Sequence, residues 1–467
     1  MSRVGFRASV VLMMTAVLGG TATADVLTVG PHGTYSSISD AVQAAPSGAD
    51  TEIRVEAGTY SERVYVATSF SAGSISLSGG WNSSFTLRNP DPSVTFVSTP
   101  AESVTVSVRA SGGTVELIGF TVSNSFADAR AGIMVNPQGA SAARVRITDC
   151  EVTGVSVSVT TIARGAGLYA ILDGSEALEL TRVAFIGNSL ATTASQQSEG
   201  GGAMVSAADS ATVAISGCRF EGNSASSGTG SASGGGLSLV NGGDAAVEVT
   251  DIDVWRNTVS TDGFTAGAGV AVREYDSSSL IARRWSVLDN LTLQGNLCEQ
   301  VRVGTSDPST TIQLTDSLIA LGDNDGVYAT AHGTVHLTNL SVAGNVGTGI
   351  RTQVAPGAVA SLYNSIAYGN GTDTDALIDV ATGNNLVGVD PGFVNPPHDY
   401  RLALGSPAED AGANAPPGGL GPADLDGAPR IQGGIVDIGC SEGTVLFADG
   451  FENGDTGRWS QVVPAAL

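Results

Sequence analysis

From about Thr114 to Gly371 one phrase recurs roughly nine times: an apolar alternating strand, a second short strand, an Asn, then a Gly-rich stretch that restarts the cycle. It is clearest in Val183-Ala184-Phe185-Ile186-Gly187-Asn188 leading to Gly200-Gly201-Gly202, and in Cys218-Arg219-Phe220-Glu221-Gly222-Asn223 leading to Gly234-Gly235-Gly236. A period of this kind describes one supersecondary unit that cannot bury its apolar side chains alone and must stack on its neighbours. The chain is therefore expected to be an elongated solenoid.

Anchoring each unit three residues before its Asn, or the equivalent, gives Phe120, Val152, Phe185, Phe220, Val254, Val287, Ile319, Val342 and Ala367. The gaps are 32, 33, 35, 34, 33, 32, 23 and 25 residues, so insertions of roughly ten residues sit in the earlier units and vanish later. Between anchors, Val213-Ala214-Ile215, Val247-Glu248-Val249 and Val335-His336-Leu337 alternate with period two and are rich in β-branched residues, as strands are. Short strands, turns and about 23 residues in the minimal unit predict an all-β, right-handed, single-stranded parallel β-helix whose coils pair at about 4.8 Å. The inserted stretches Ala191 to Glu199, Ala225 to Ser233 and Thr258 to Thr265 are mostly Ser, Thr, Ala and Gly, and read as spacer loops.

Residues 1–24 carry Arg3 and Arg7, an apolar Val10 to Leu18 core and a small-residue end at Ala22-Thr23-Ala24. That pattern predicts a secretory signal peptide, and no later apolar run is long enough to span a membrane. The expected organisation is a leader (1–24), a cap with the first coils (25–113), the main repeats (114–371), a C-terminal module (372–443) and a tail (444–467). Within the cap, Tyr35 to Pro46 reads as a short helix with Ile38, Ala41, Val42 and Ala45 on one face, placed to cover the open apolar end of the solenoid.

A net charge of −24 in 467 residues repels nucleic acid and anionic membranes. All 21 basic residues are Arg, which excludes lysine Schiff-base chemistry. Of the four cysteines, Cys150 and Cys218 hold the same place in units two coils apart, near 10 Å at the strand spacing and beyond disulfide reach, so both are expected as free buried thiols.

Ile53-Arg54-Val55-Glu56-Ala57-Gly58-Thr59-Tyr60-Ser61-Glu62-Arg63-Val64, following the short helix, resembles the opening of pectin-lyase-like β-helix proteins. The Phe-x-x-Asn then Gly-Gly phrase at Phe185 to Met204 and Phe220 to Leu237 is similar to the repeat of chlamydial polymorphic outer-membrane proteins. Asp390 to Glu442 resembles the choice-of-anchor Q domain: Asp390-Pro391-Gly392-Phe393-Val394, Asp399-Tyr400-Arg401-Leu402, Ser406-Pro407-Ala408-Glu409-Asp410-Ala411-Gly412, Asp424-Leu425-Asp426-Gly427, Val436-Asp437-Ile438-Gly439. It departs from that pattern at Cys440, where Ala is usual. Phe447 to Ser460 resembles a C-terminal tail of exported proteins of some Gram-negative bacteria, which would allow a sorting role, with an edge strand or frayed tail as the alternative. These resemblances imply an exported, surface-associated β-helix, and none carries an activity on its matched residues. The polygalacturonase motifs are missing, Ala331-His332-Gly333 being the nearest piece. The other histidines, His32, His336 and His398, stand alone and read as solvated or capping groups.

Stacking converts sequence period into columns. Three residues after the anchors stand Asn188, Asn223, Asn257, Asn290, Asn345 and Asn370, whose amides suit turn satisfaction coil after coil, with a glycan-binding row as the alternative. Three before the anchors, Asp251, Arg284 and Asp316 fall on successive coils. They read as a carboxylate–guanidinium–carboxylate ladder, and are also the best catalytic constellation available for polysaccharide cleavage. Asp424 and Asp426, with Asp437, surround a Gly turn at the oxygen spacing of a calcium loop; a turn in which Asp caps its own backbone competes with that reading. Two functions follow as expectations: a non-catalytic exported protein that adheres to or binds a polysaccharide or cell-surface glycan, or a polysaccharide lyase or hydrolase working across Asp251, Arg284 and Asp316.

Overall fold

The computed structural model describes residues 24–68, 73–99, 104–124, 131–137, 142–193, 195–294, 298–375 and 380–443. Nearly all of the expected leader (1–23) and the whole tail (444–467) lie outside these. The chain is a right-handed parallel β-helix. One full coil shows its construction. Ala177–Thr181 and Ala184–Ile186 lie in a 23-stranded sheet, Ser189–Thr192 in a five-stranded sheet, Ser198–Glu199 in a four-stranded sheet and Ala203–Ala207 in an 11-stranded sheet. Thr212–Ser216 then begins the next coil, parallel to Ala177–Thr181.

The inserted stretches are thus not spacers. They form two further stacked sheets, the five- and four-stranded ones, with paired strands such as Ser224–Ser227 on Thr258–Ser260 and Ser231–Ser233 on Phe264–Ala266.

Alternation decides which side chains enter the core. Val145, Leu178, Val213, Val247, Leu280, Ile312 and Val335 stack as one inward column, all buried. The anchors form a second: Val152, Phe185, Phe220, Val254, Val287, Ile319, Val342 and Ala367 are aligned coil upon coil as expected. Phe185 and Phe220 stack inside it with ring centroids 5.1 Å apart and 9° between planes. The first anchor is displaced by two residues: Val122, not Phe120, pairs with Val152, and Phe120 sits level with Cys150. The register puts Val183 between Cys150 and Cys218, and all four cysteines are free and buried. Burial pushes the thiols of Cys150, Cys218 and Cys440 up to about 11 and that of Cys298 to about 12.

Two corners per coil are turned in the left-handed region. The first holds Asp149, Arg182, Asp251, Arg284, Asp316, Asn339 and Asn364 at φ between 51° and 56°, with Gly119 and Gly217 at the remaining coils. Asp, Asn and Gly adopt this conformation readily; Arg does not, at a cost of roughly 1–2 kcal/mol. One residue past the second corner comes the Asn column. Asn223 shows its chemistry. Its Oδ1 accepts from the backbone N–H and the Nδ2 of Asn188 (both 3.0 Å), while its own Nδ2 donates to the Phe185 carbonyl and to Asn257 Oδ1 (both 2.9 Å). Where the column meets Gly322 instead of Asn, Gln300 fills the gap: its Oε1 accepts from Asn290 (3.2 Å) and its Nε2 donates to Asn345 Oδ1 and the Ala320 carbonyl (both 2.7 Å). Glycine is needed at 322, because a Cβ there would lie 2.6 Å from Gln300 Cγ.

The N-terminal helix covers Ile38–Ala44, with Ser37 as N-cap accepting from the Asp40 N–H (3.1 Å) and Ile38, Ala41 and Val42 buried on the first coils. Glu62 accepts the N–H groups of Ile38 (2.8 Å) and Ser39 (2.9 Å) at its first turn. The C-terminal segment begins by completing the stack, Thr372–Thr374, Val380–Gly383 and Leu386–Val387 pairing on the preceding coils; beyond them, through the antiparallel pair Phe393–Asn395 and Asp399–Leu402, it lies along the flank of the last coils. Tyr400 and Cys440 cover the outward-facing Leu318, Ala320 and Ala343; Leu402, Ala408 and Ile438 cover Ile366.

Gln300→Ala strips four hydrogen bonds from a buried column and is expected to cost about 3 kcal/mol, since each buried polar group left unpaired costs roughly 1–3 kcal/mol. The midpoint of urea unfolding should fall accordingly. Adding Gly322→Asn to Gln300→Ala should recover part of it, and no recovery would mean that the column is not a continuous amide chain.

Candidate functional site

The sequence candidates come apart at the first corner. Arg284 pairs with Asp251 through both arms, Nε to Oδ1 at 2.5 Å and Nη2 to Oδ2 at 2.6 Å. Asp149 and Arg182 repeat this arrangement at 2.6 and 3.1 Å. Asp316 does not join the Arg284 pair. Buried completely, it accepts from Asn339 Nδ2 (2.9 Å) and faces Arg430 Nε at 3.2 Å. A three-coil ladder of the expected kind exists elsewhere, on the outward face of the wide sheet: Arg146 bonds Glu116 at 2.9 Å and Glu179 at 2.8 Å. Arg284 and Asp251 thus form a closed bidentate pair, and the structure does not bring Asp316 together with them.

Arg430 reaches Asp316 from the flanking segment and is itself buried, with Glu442 Oε1 at 3.5 Å and the Gly439 carbonyl accepting from Nη2. Two buried carboxylates thus share one guanidinium. Burial, only partly offset by Arg430, pushes Glu442 up to about 7 and raises Asp316. In the nearby turn read as a calcium loop, carboxylate oxygens are taken up by backbone N–H groups. Asp424 Oδ1 accepts from the Ala428 N–H (2.7 Å) and Oδ2 from the Glu442 N–H (2.8 Å), while Asp437 Oδ1 accepts from the Asp410 N–H (2.7 Å). Asp424 therefore caps its own turn, and with Asp426 it belongs to no cluster of three metal-ligating side chains among the described residues. Of the isolated histidines, His32 Nδ1 meets Glu56 at 2.9 Å and His336 Nδ1 meets Ser361 Oγ at 2.7 Å.

A different surface gathers chemistry, the outer face of the 11-stranded sheet. Its outward positions are in register through Tyr65, Ser107, Met134, Tyr169, Met204, Ser238, Ala271, Arg302, Tyr328 and Arg351. The neighbouring outward row runs from Ala67 and Arg109 to Ile171, Ser206, Val240, Arg273, Gly304, Thr330 and Gln353. Neither row holds a carboxylate, although the chain carries 45 acidic residues against 21 basic ones. Arg63 and Arg164 add two cations from the rims. The two short sheets rise beside this face and make one wall of a trough.

Two hollows lie in the trough. The first, about 600 Å³, is lined by Arg63, Arg109, Arg164, Tyr169 and the Val157 to Ala163 segment. The second, about 200 Å³, is lined by Arg273, Arg302, Phe264 and small residues. Arg302 lies between the rings of Phe264 (5.3 Å) and Tyr328 (4.7 Å), and Arg351 stacks on the other side of the latter at 4.9 Å. Such stacking holds the guanidinium groups in place, and each also meets a buried carboxylate: Arg302 pairs with Glu299 at 3.4 Å and Arg351 with Asp325 at 3.5 Å. Glu199 joins the hollows. Nearly buried, it pairs with Arg164 at 3.4 Å and with Arg273. The sequence shows these residues only as single arginines about one unit apart; their shared face emerges with the register.

No family model matches the chain, and no curated protein matches it. Among solved structures it is similar to a pectate lyase, at 13% identity over 91% of this chain and 98% of that one, with a TM-score of 0.43. It is also similar to a pectin methylesterase from Aspergillus niger (14% identity, 80% of this chain and 94% of that one, TM-score 0.28) and to one from carrot (12%, 78% and 89%, 0.26). No helix among the described residues is long and apolar enough to cross a membrane.

The Arg430 seam titrates. Glu442 has a folded value near 7 against an ordinary 4.5, so its stabilising contribution is complete below about pH 4.5 and is lost as pH rises through 7. Wild type should become less resistant to urea between pH 5 and 8, and Glu442→Gln should reduce that slope without abolishing it, because burial also pushes Glu274 up to about 7. Arg430→Ala, which leaves two buried carboxylates unpaired, should cost about 3–5 kcal/mol, whereas Arg284→Ala at a partly solvated pair should cost about 1 kcal/mol or less. Equal losses in the two variants would contradict this division.

Proposed function

We propose that the protein is an exported, non-catalytic β-helix that binds an acidic polysaccharide along the outer face of its 11-stranded sheet, in a surface or extracellular adhesive role. The observation that carries this reading is the composition of that face. Arginines and aromatic rings occupy its outward rows and rims in a chain of net charge −24, and the carboxylates that pair with them, Glu199, Glu299 and Asp325, are buried beside the rows, not on them. Guanidinium groups recognise carboxylate or sulfate groups bidentately, and exposed rings such as Phe264, at 55% exposure, and Tyr65, at 43%, offer platforms to the apolar face of a sugar. An acidic body elsewhere repels nonspecific polyanion binding, so attraction is confined to the trough.

Export is supported by the leader pattern of residues 1–24, and surface association by the resemblance of Asp390 to Glu442 to the choice-of-anchor Q domain and of the tail to sorting segments. The absence of a catalytic role rests on the closed Asp251–Arg284 pair and the sealed Asp316. A lyase or hydrolase of the pectin-lyase-like kind is the competing reading, and the same protein tests both.

Titration of the full chain with acidic and neutral oligosaccharides should give saturable binding to acidic ones only, weakened by salt. Arg302→Ala should lower that affinity about tenfold, as expected for loss of one charge-assisted contact, and Arg284→Ala should leave it unchanged. Release of reducing or unsaturated ends that disappears in a folded Arg284→Ala variant would overturn the non-catalytic reading.

A further inference from the structure

The two hollows differ in what their arginines meet. In the second, Arg273 bonds Glu199 and Arg302 pairs with Glu299, so those charges are balanced within the protein. In the first, Arg164 is likewise held by Glu199, but Arg63 and Arg109 are exposed and have no carboxylate partner among the described residues. Arg63 lies 5.9 Å from the Tyr65 ring, and its backbone carbonyl accepts from Ser39 Oγ (2.8 Å), which ties it to the capping helix. It immediately precedes the strand Val64–Thr68, whereas Arg109 is level with Ala67 near the other end of that strand. The two open cations therefore flank Ser107 on the floor of the hollow.

Beside these cations the lining turns apolar. Met134 and Val159 are half-buried, Ile162 is 44% exposed and Val157 is buried behind them. Val157, Val159 and Ile162 belong to the coil that carries the first strands of the two short sheets, so the wall of the trough begins at this hollow. At about 600 Å³ the hollow falls in the range of small-ligand sites, roughly 300–1,000 Å³, which combine an apolar lining with a few polar groups that fix orientation. A carboxylate alone would satisfy the arginines and leave the apolar side in water. We infer that the acidic sugar seated here carries a short acyl group. Its carboxylate takes the N–H groups of Arg63 and Arg109, and the acyl methyl packs on Met134, Val159 and Ile162. This rests on the acidic-polysaccharide reading above and narrows the ligand to an acylated acidic glycan. An O-acetylated uronate and an N-acetylated nonulosonate share that chemistry.

The test is calorimetry of the full chain with an O-acetylated oligouronate and with the same oligomer after its acetyl groups are removed, two ligands of equal length and charge. The acetylated form should bind about fivefold more tightly, the gain expected from taking one methyl-bearing group out of water. Met134→Ser with Ile162→Ser, at half-buried and exposed positions, should bring that ratio to about one and leave the affinity for the deacetylated oligomer nearly unchanged. Arg109→Ala should weaken both oligomers about tenfold and preserve the ratio. An oligomer of N-acetylated nonulosonate run alongside tells the sources apart: tighter binding of either acylated oligomer than of the deacetylated one supports the inference, and the tighter of the two shows whether the acyl group is ester- or amide-linked. Equal affinity of wild type for all three oligomers, or an acyl preference that survives the Met134→Ser, Ile162→Ser double substitution, would overturn the acyl inference and leave the acidic-polysaccharide reading standing. Binding of none of them, or a neutral acetylated xylan bound as tightly, would overturn both.

Discussion

The structure depends on parallel hydrogen bonding from coil to coil in a fixed register. Every other feature is a column, and a column exists only if equivalent residues of successive coils lie level. The Asn column supplies that condition at a corner where the backbone would otherwise leave donors unpaired. Asn188, Asn223, Asn257 and Asn290 each accept from or donate to the coil on either side, and a slip by one residue would break all of these bonds while turning the inward Val, Leu and Phe outward. The substitution of Gln300 for the missing Asn beside Gly322 shows how strictly the chain of amides is maintained. A longer side chain from the opposite side of the turn completes it, and the facing residue gives up its Cβ.

The left-handed corner that precedes each anchor has a second use. In the coils of Asp149, Arg182, Asp251 and Arg284 it faces solvent, and the side chains pair along the stack to neutralise one another. From Asp316 onward the flanking segment covers it. The same backbone position then becomes a polar seam, with Asn364 bonded to the backbone of Ala413 and Asp316 to Arg430. One column thus serves solvation in the middle of the solenoid and docking near its end. The residues change from long charged pairs to short amides and a sealed carboxylate because the space above them has closed.

Much of this was legible in the sequence, and the failures are instructive. Eight anchors read from the Asn spacing align as expected, because inward apolar residues and left-handed corners repeat with a local pattern. The first anchor was displaced because Gly119 and Phe120 imitate the phrase without its Asn. The Ser, Thr, Ala and Gly insertions read as loops because their small side chains carry weak strand preference, and only stacking on a like neighbour makes them strands. The Asp251, Arg284 and Asp316 column was located correctly, yet its pairing was not: Arg430, the partner of Asp316, lies 114 residues further along and no local pattern announces it.

The sequence by itself determined the coil: its length, its inward columns, its corners and its amide chain, all of which rest on interactions between a residue and its equivalent one period away. The tertiary structure alone decided which charges meet: Arg164 and Arg273 share Glu199, Arg302 pairs with Glu299 and Arg351 with Asp325. Arg109, Arg164, Arg273, Arg302 and Arg351 carry no shared motif and come together because every outward strand position of one sheet is brought to one face at about 4.8 Å intervals. Asp316, placed by the sequence among surface ladders, is withdrawn from them because a segment distant in the chain lies over it and brings the Arg430 guanidinium against it.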